Sequence, residues 1–436
     1  MVSRRQFFIG STALVGSFAA NGAHAAFDWA AYKGSKISAL FAKTPKSDLF
    51  AKELKEFETL TGIQVMFEAI PEQQQRQKML VEFASGSPSF DVTNINLGVQ
   101  KRLSGKGNWF ADLKPMIADM RKSNPDIDFD DFLKQSIEYS TQRDGRLDTM
   151  PLNLDYWILY YNKDLLQKSG MPYPTTLDDL VKVAQKATDK STNTYGWVGR
   201  GLRNANTPVW TTLMLGMNQP TLSDKGELLT ATDQAVWAAE LYKKLNVDCA
   251  PPGISGFNWS ECQTSFAQGK AAFWLDGIGF AAPLEDEKRS RVVGKVGYGL
   301  MPAGPKGHGA GMWQDAVGIS VASKNKEASF LFLMWLTSKA NQSRMLQAGA
   351  GIPVRKSPLL DPDIRQGSKF GQQYYDTVIA SGAIGKTVLP DIVPVTQFRD
   401  VFGIALTNMI GGADPRKELE EATKQFQPVL EQSEKT

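Results

Sequence analysis

The chain has 436 residues, of which 42% are hydrophobic and 22% are charged, enough for two domains, or one large divided domain, with real cores. Its 49 basic residues nearly balance its 46 acidic ones, which leaves a formal charge of +3, and they are scattered along the chain. Because a nucleic-acid partner would be expected to face a basic stripe, this composition argues against nucleic acid as a partner.

The first 25 residues have the pattern of an export signal. Two arginines in SRRQFF precede an uncharged, largely apolar run from Phe7 to Ala20, and residues 23–25 read AHA, a small-x-small cleavage pattern. The run is shorter than the ~20 apolar residues that a membrane span takes. We therefore predict a signal peptide over residues 1–25, similar to the bacterial twin-arginine type, whose removal leaves a periplasmic protein.

The mature chain begins with alternating strand and helix patterns. The predicted elements are a strand at 34–43, a helix at 49–62, a strand at 63–70, a helix at 72–89 and a strand at 90–96. This β-α-β-α-β order is typical of a parallel sheet with helices on its faces.

A strand pattern that runs into a helix follows at Pro151–Leu166, which reads PLNLDYWILYYNKDLL. Beyond it, helices are predicted at 175–188, 231–246, 324–339, 395–412 and 415–432, and strands within 263–277 and 294–311. Strands continue to alternate with helices, so the α/β pattern extends along most of the mature chain.

Two cysteines, Cys249 and Cys262, would meet an oxidising compartment after export. Their short separation makes pairing plausible, and we predict a disulfide between them. Two buried free thiols are the alternative.

The residues needed for catalysis are poorly represented. His308, the single histidine of the mature chain, lies in a glycine-rich loop, so a Ser-His-Asp or Cys-His arrangement would rest on it alone. Neither a phosphate-binding loop nor a dinucleotide-binding glycine pattern is present. The acid groups Asp130-Asp131 and Glu285-Asp286-Glu287 resemble helix starts or solvated faces. We expect no enzyme activity, no cofactor and no metal.

Tryptophan recurs beside acids and amides at the edges of predicted strands. Trp157 follows Asp155, Trp274 precedes Asp276, and Trp313 precedes Gln314 and Asp315. A sugar or polyol needs a flat aromatic surface for its C–H face and hydrogen-bonding groups for its hydroxyls. Core packing is the alternative for each tryptophan alone, but the recurrence favours a carbohydrate or polyol site.

Several stretches resemble the extracellular solute-binding proteins of ATP-driven sugar importers, the group that includes maltose-binding protein. The resemblance covers nearly the whole mature chain and is most specific in PLNLDYWILYYNKDLLQKSGMPYPTTLDDL, with further matches in LFAKELKEFETLTGIQVMFEAIP, SFAQGKAAFWLDG and GIPVRKS. WLDGIGF and VVGKVGYGLMP are similar to the members that take sugars and sugar alcohols. Arg399 and Asp400 stand where maltose binders carry an aromatic side chain.

The resemblance implies an α/β fold of the two-lobed, type II periplasmic-binding-protein kind. Each lobe would be a mainly parallel sheet flanked by helices, and crossing segments would form a hinge between the lobes. The first lobe would comprise residues 26–153 with 315–361, and the second residues 156–312 with 362–436.

The implied function is the capture of a neutral sugar, oligosaccharide or polyol by a monomer that delivers it to the membrane permease of an ABC transporter. One alternative keeps the fold but takes a phosphorylated polyol or another anionic solute, which requires cations in the cleft. Another is a secreted carbohydrate-active enzyme, which requires two carboxylates in the cleft about 5–9.5 Å apart.

The expected ligand-binding residues come from both lobes and from the crossings between them. Asp155, Asp276, Gln314 and Asp315 would bind hydroxyls. Trp157, Trp274 and Trp313 would stack on the ligand. The other candidates are Asn94, Asn96, Lys43, Arg203, Tyr156 and Arg399.

Overall fold

A computed structural model describes residues 27–435 except 367 and 369, so the predicted signal peptide lies outside the described residues. The strands are β1 (Lys36–Ala42), β2 (Gln64–Ile70), β3 (Val92–Asn96), β4 (Met150–Asn162), β5 (Tyr195–Val198), β6 (Ala271–Gly277), β7 (Val296–Gly299), β8 (Ala310–Ile319) and β9 (Gly385–Thr387). The first three occur in the predicted order with the predicted helices between them.

The helices surround these strands and follow most of the predicted ranges. They are α1 (Pro45–Thr61), α2 (Glu72–Ala84), α3 (Leu97–Lys106), α4 (Lys114–Ala118), α5 (Lys134–Ser140), α6 (Lys163–Ser169), α7 (Leu177–Ala187), α8 (Thr207–Met214), α9 (Asp233–Asp248), α10 (Trp259–Ala267), α11 (Lys326–Leu336), α12 (Lys339–Gln347), α13 (Lys356–Leu360), α14 (Pro362–Gln366), α15 (Gln372–Ile384), α16 (Val395–Ile410) and α17 (Pro415–Lys435). Among the described residues, none of these helices is long and apolar enough to cross a bilayer.

The strands form a mixed sheet in the order β2-β1-β3-β8-β4-β6-β5, with β7 beside β4 and β9 beside β8. The pairs β1–β2, β1–β3 and β5–β6 are parallel, as expected where helices connect successive strands. The pairs β3–β8, β4–β8 and β4–β6 are antiparallel. The predicted parallel arrangement therefore holds for these strands, which helices connect. Each of the antiparallel pairs contains at least one of the two long strands, β4 and β8.

Strand β4 changes partner along its length. Its residues up to Tyr156 pair with β8, and from Trp157 onward it pairs with β6. Strand β8 in turn pairs with β3 from Asp315 onward. Because both strands continue from one part of the sheet into the other, their middle residues lie at the junction.

Apolar side chains pack on both faces of the sheet. One core cluster collects residues of β1, the first part of β4 and α11, which is buried from Ala328 to Leu336. A second collects α8, α9 and α16 against the far part of β4. Each fully buried leucine or phenylalanine contributes roughly 1.5–3 kcal/mol relative to an exposed one, so these two clusters hold the sheet between its helices.

The predicted disulfide is wrong, because both cysteines are free and buried. Cys249 ends α9 and packs in the second core cluster, whereas Cys262, in α10, packs in the first. Burial raises the pKa of the Cys249 thiol to about 11, and it also raises the pKa of the Cys262 thiol well above its usual value. Each thiol therefore behaves as a small apolar side chain in its own core.

Candidate functional site

A cavity of about 770 Å³, counted out to open solvent, lies at the junction of the two parts of the sheet. It is lined from one side by Ala42, Thr44, Glu72, Gln75, Arg76, Asn94, Asn96 and Val99, from β4 and β8 by Asp155, Trp157, Trp313 and Asp315, and from the other side by Arg200, Pro208, Phe280 and Arg399. Seven of the thirteen predicted ligand-binding residues are in this set, and their contact with a ligand stays a prediction.

Trp157 and Trp313 form an aromatic wall in this cavity. Their ring centroids lie 6.0 Å apart at an interplanar angle of 32°. Register pairs Trp313 with Asp155, two residues before Trp157, so alternation along the strands turns these three side chains to one face. A Cβ at Gly98 would approach the Trp313 ring to 3.0 Å, which shows how closely the indole lies on the backbone there.

Asp155 lies beside this wall and is largely desolvated. Its Oδ1 accepts a hydrogen bond of 3.0 Å from the Gly279 backbone N–H. Burial raises the pKa of the Asp155 carboxyl to about 7, against the Gly279 bond and the charge of Lys46, which lower it. A Cβ at Gly277 would come within 2.1 Å of Asp155 Oδ2, so glycine there makes the room for this acid.

Asp315 is held by two neighbours. Lys46 Nζ lies 2.5 Å from Asp315 Oδ2 and 2.5 Å from Asn153 Oδ1. Asn96 Nδ2 donates to Asp315 Oδ1 at 2.7 Å. Both oxygens of Asp315 thus have protein donors, and a charge-assisted contact of this kind fixes the start of α1 against β8.

We call the part of the cavity that is lined by Arg76, Arg200 and Arg399 its arginine-rich end. Arg200 contacts both carboxylate oxygens of Asp276, at 2.9 and 2.5 Å, and its guanidinium lies 5.0 Å from the centroid of the Trp157 ring. Asp276 itself is fully buried. It therefore positions Arg200 and does not reach the cavity, which corrects its predicted role as a hydroxyl partner.

Glu72 and Arg76 form an ion pair at the start of α2, within the same arginine-rich end. Burial alone would raise the pKa of Glu72, but Arg76, Arg200 and Arg399 together lower it to about 2. Arg399 is 4% exposed, and its Nε donates to the Asn204 carbonyl at 3.0 Å. Burial and the charge of Arg76 lower the pKa of Arg399 to about 9.

Three predicted residues of the crossing region face the core. Trp274 is fully buried and stacks on Tyr160 at 4.7 Å. Gln314 donates to the Ser136 carbonyl and the Ser140 hydroxyl, both at 2.9 Å. Tyr156 is 4% exposed and is not among the cavity-lining residues. Strand alternation explains why Gln314 and Tyr156 face away from the cavity, since each is next in the chain to a residue that faces it.

Lys43 and Arg203 lie outside the cavity. Lys43 pairs with Asp48 at 2.5 Å, and both side chains are more than half exposed. Arg203 lies 3.6 Å from Asp400. Asn94 does line the cavity, but its Oδ1 accepts a 2.8 Å bond from the Ala42 N–H, so it also caps a strand end.

Four charged residues at the site were missed: Lys46, Glu72, Arg76 and Arg200. Helix α1 begins at Pro45, four residues before the predicted start, with Thr44 as its N-cap. The dipeptide Thr44-Pro45 could have indicated this helix start, because proline favours the first helical position. Arg200 closely follows β5, and ligands bind near the carboxyl ends of parallel strands.

The acid groups weighed for catalysis have structural partners. Asp131 accepts from the Ser357 backbone N–H at 2.8 Å and its hydroxyl at 2.7 Å, and Glu285 accepts from the Tyr298 hydroxyl at 3.0 Å. His308 Nε2 lies 2.7 Å from the Met301 carbonyl. In the part of the chain that the structure describes, no three or more His, Cys, Asp or Glu residues are grouped to hold a metal ion.

Comparison with known proteins places this geometry in context. A profile described as bacterial extracellular solute-binding protein matches residues 13–343. The erythritol/L-threitol-binding protein of Mycolicibacterium smegmatis is 26% identical over 91% of this chain and 86% of that protein. A probable amino-acid ABC transporter periplasmic-binding protein of Sinorhizobium fredii is 27% identical over 76% of this chain and 75% of its own. The solved structure of an ABC transporter solute-binding protein from Agrobacterium radiobacter, in complex with ribitol, has a TM-score of 0.83 and 25% identity over 91% of this chain and 99% of that one.

Proposed function

Since the chain belongs to the bacterial extracellular solute-binding protein family, we propose that it captures a sugar or polyol and delivers it to the membrane permease of an ABC transporter. The observation that carries the proposal is the aromatic wall of Trp157 and Trp313 beside Asp155 in a largely desolvated cavity. The indoles suit the C–H face of such a solute, and the carboxyl and amide groups suit its hydroxyls.

The relatives favour polyols within this class. One similar protein is named for erythritol and L-threitol, and a similar solved structure holds ribitol. Both names describe short, uncharged, hydroxyl-rich molecules, which would fit between the aromatic wall and the polar groups opposite. The relative named for amino acids makes amino acids the class to test against.

The fold is the two-lobed α/β fold of periplasmic binding proteins. We infer that one lobe comprises residues 26–153 with 315–361 and the other residues 156–312 with 362–436, and that β4 and β8 cross between them. The change of partner of β4 between Tyr156 and Trp157 supports this boundary. Ligand contacts with both lobes would favour the closed state, because closure requires an interaction that the open state lacks.

Catalysis is not part of the proposal. Glycoside hydrolysis takes two carboxyl groups in the cleft. Asp315 already has donors on both oxygens, and Glu72 is paired with Arg76. Among the described residues that line the cavity, this leaves Asp155 as the one acid that no side chain binds, since its donor is the Gly279 backbone N–H. We infer a non-catalytic protein that is exported by its signal peptide and acts in the periplasm.

A thermal-shift screen of the mature protein tests the function. A solute that binds the native state alone raises the melting temperature with concentration. We expect shifts with polyols or sugars and a flat response to amino acids. The Trp313→Ala variant serves as the control, since its shift should be smaller at the same solute concentration. A flat response to every carbohydrate and polyol, with a shift from amino acids, would overturn the proposal.

A further inference from the structure

The charged side chains at the arginine-rich end of the cavity bear on the charge of the solute. Arg76, Arg200 and Arg399 all line it, and Glu72 lies among them. All three guanidiniums are close enough to lower the pKa of Glu72 against the effect of its burial. Cations are thus concentrated in this part of the cavity.

The positive charges at this end are not fully compensated. Arg200 is held by both oxygens of Asp276, and Arg76 is paired with Glu72. For Arg399, no acid within the described residues lies at ion-pair distance. The adjacent Asp400 is engaged elsewhere, since Asn204 donates to its Oδ1 at 3.0 Å and Arg203 lies near the same oxygen.

Arg399 is also desolvated. It is 4% exposed, and one backbone carbonyl accepts from its Nε. A buried cation that faces two other cations is unfavourable unless an anion is supplied. Burial and the charges of Arg76 and Arg200 lower the pKa of Arg399, whereas Glu72 and Asp400 raise it.

We propose that the solute carries an anionic group, a carboxylate or a phosphate at one end of a polyol or sugar chain, and that Arg399 binds it together with Arg76 and Arg200. The guanidinium group presents paired donors that match the oxygens of either anion. Asp155 and the tryptophan wall would take the hydroxyl-bearing part. The inference rests on the proposed function and adds the charge and orientation of the solute.

Titration calorimetry with matched sets of solutes tests it. Each set contains a four-, five- or six-carbon polyol, the aldonate of the same configuration and the terminal phosphate of the same polyol. We expect the aldonate or the phosphate of one set to bind at least tenfold more tightly than its neutral polyol, and the preferred anion identifies the group. Raising the salt concentration should weaken this preference.

Two variants locate the effect. Arg399→Gln should abolish the preference for the anion and change the affinity for the neutral polyol less than threefold, whereas Arg399→Lys should retain part of it. Arg121→Gln, which removes an exposed arginine that pairs with Asp119 outside the cavity, is the matched control and should behave as wild type. Melting temperatures without solute show whether each variant is folded.

The outcomes separate the two proposals. If neutral polyols bind as tightly as their anions, and Arg399→Gln is unchanged, the anion proposal is overturned while the proposed function stands. If no member of any set binds and amino acids do, both are overturned.

Discussion

Asp155 lines the cavity, and its burial favours the protonated form of its carboxyl group. Its pKa is raised to about 7, so the stability that its neutral form provides is complete below the pKa of an exposed aspartate and is lost as the pH rises through 7. The Asp155→Asn variant has no titratable group at this position, so it does not lose this stability as the pH rises. We expect the free energy of unfolding of the variant, relative to wild type, to rise by about 1–4 kcal/mol between pH 4 and pH 8. Urea unfolding of both proteins at the two pH values measures it, and an equal difference at both would contradict the burial argument.

Trp313 on β8 and Trp274 on β6 should separate binding from stability. Trp313→Ala removes half of the aromatic wall, and we expect the dissociation constant for the solute to rise about tenfold or more, equivalent to ~1.4 kcal/mol. Trp274→Ala empties a core position, and we expect it to lower the free energy of unfolding by about 3–5 kcal/mol with little change in affinity. Calorimetry and urea unfolding distinguish them. Weakened binding in Trp274→Ala alone would show that the two positions had been assigned the wrong way round.

The sequence could identify which strands carry the site, but not which charged residues complete it. Asp155, Trp157 and Trp313, which were predicted from the local Trp–Asp recurrence, do line the cavity. The same recurrence failed at Trp274, whose side chain stacks on Tyr160 across the strand pair. Arg200 was missed in favour of the nearby Arg203, because nothing local shows which arginine an acid such as Asp276 will hold.

At the scale of elements, the start of α1 links helix capping to the site. The Thr44 side chain accepts from the Ser47 N–H, and Lys46 in the same turn reaches Asp315. We expect Thr44→Ala to lower the free energy of unfolding by about 0.5–2 kcal/mol and to weaken solute binding, because the turn that carries Lys46 frays.

Thr59→Ala on the same helix is the control for this prediction. Its hydroxyl bonds back to the Lys55 carbonyl on an exposed face, so its loss should be nearly neutral. Denaturant unfolding and calorimetry of both variants provide the comparison. If the two variants behave alike, the cap has no special role.

The two long strands explain why element prediction succeeded better than sheet prediction. Period-two and helical patterns located β1 to β3 and their helices within a few residues. The partner change of β4 depends on β8, which lies more than 150 residues later in the chain. Pairing between segments so far apart gives no signal in the local sequence other than the run of apolar residues.

At the scale of the whole molecule, the two lobes should move relative to each other about β4 and β8. We expect the radius of gyration, about 22 Å for a compact chain of this length, to decrease when solute binds. Small-angle scattering with and without solute measures the change. At a solute concentration near the wild-type dissociation constant, the radius of Trp313→Ala should decrease less than that of wild type. A wild-type radius that does not respond to solute would contradict closure.

The fold class and the family resemblance followed from the sequence, whereas the state of the cysteines did not. Export and short separation along the chain argued for a disulfide between Cys249 and Cys262. The two residues lie in different core clusters, so their separation along the chain says little about their separation in space. Long-range packing decided this point, as it decided the partners of Arg200 and Asp315.

The tryptophan wall has a practical consequence. Trp157 and Trp313 belong to different strands, yet their indole centroids lie 6.0 Å apart. Chromophores this close couple electronically, so a change in their mutual angle or in the medium beside them alters both emission and circular dichroism. We therefore expect solute binding beside this pair to change the intrinsic tryptophan emission and the near-ultraviolet circular dichroism of the protein.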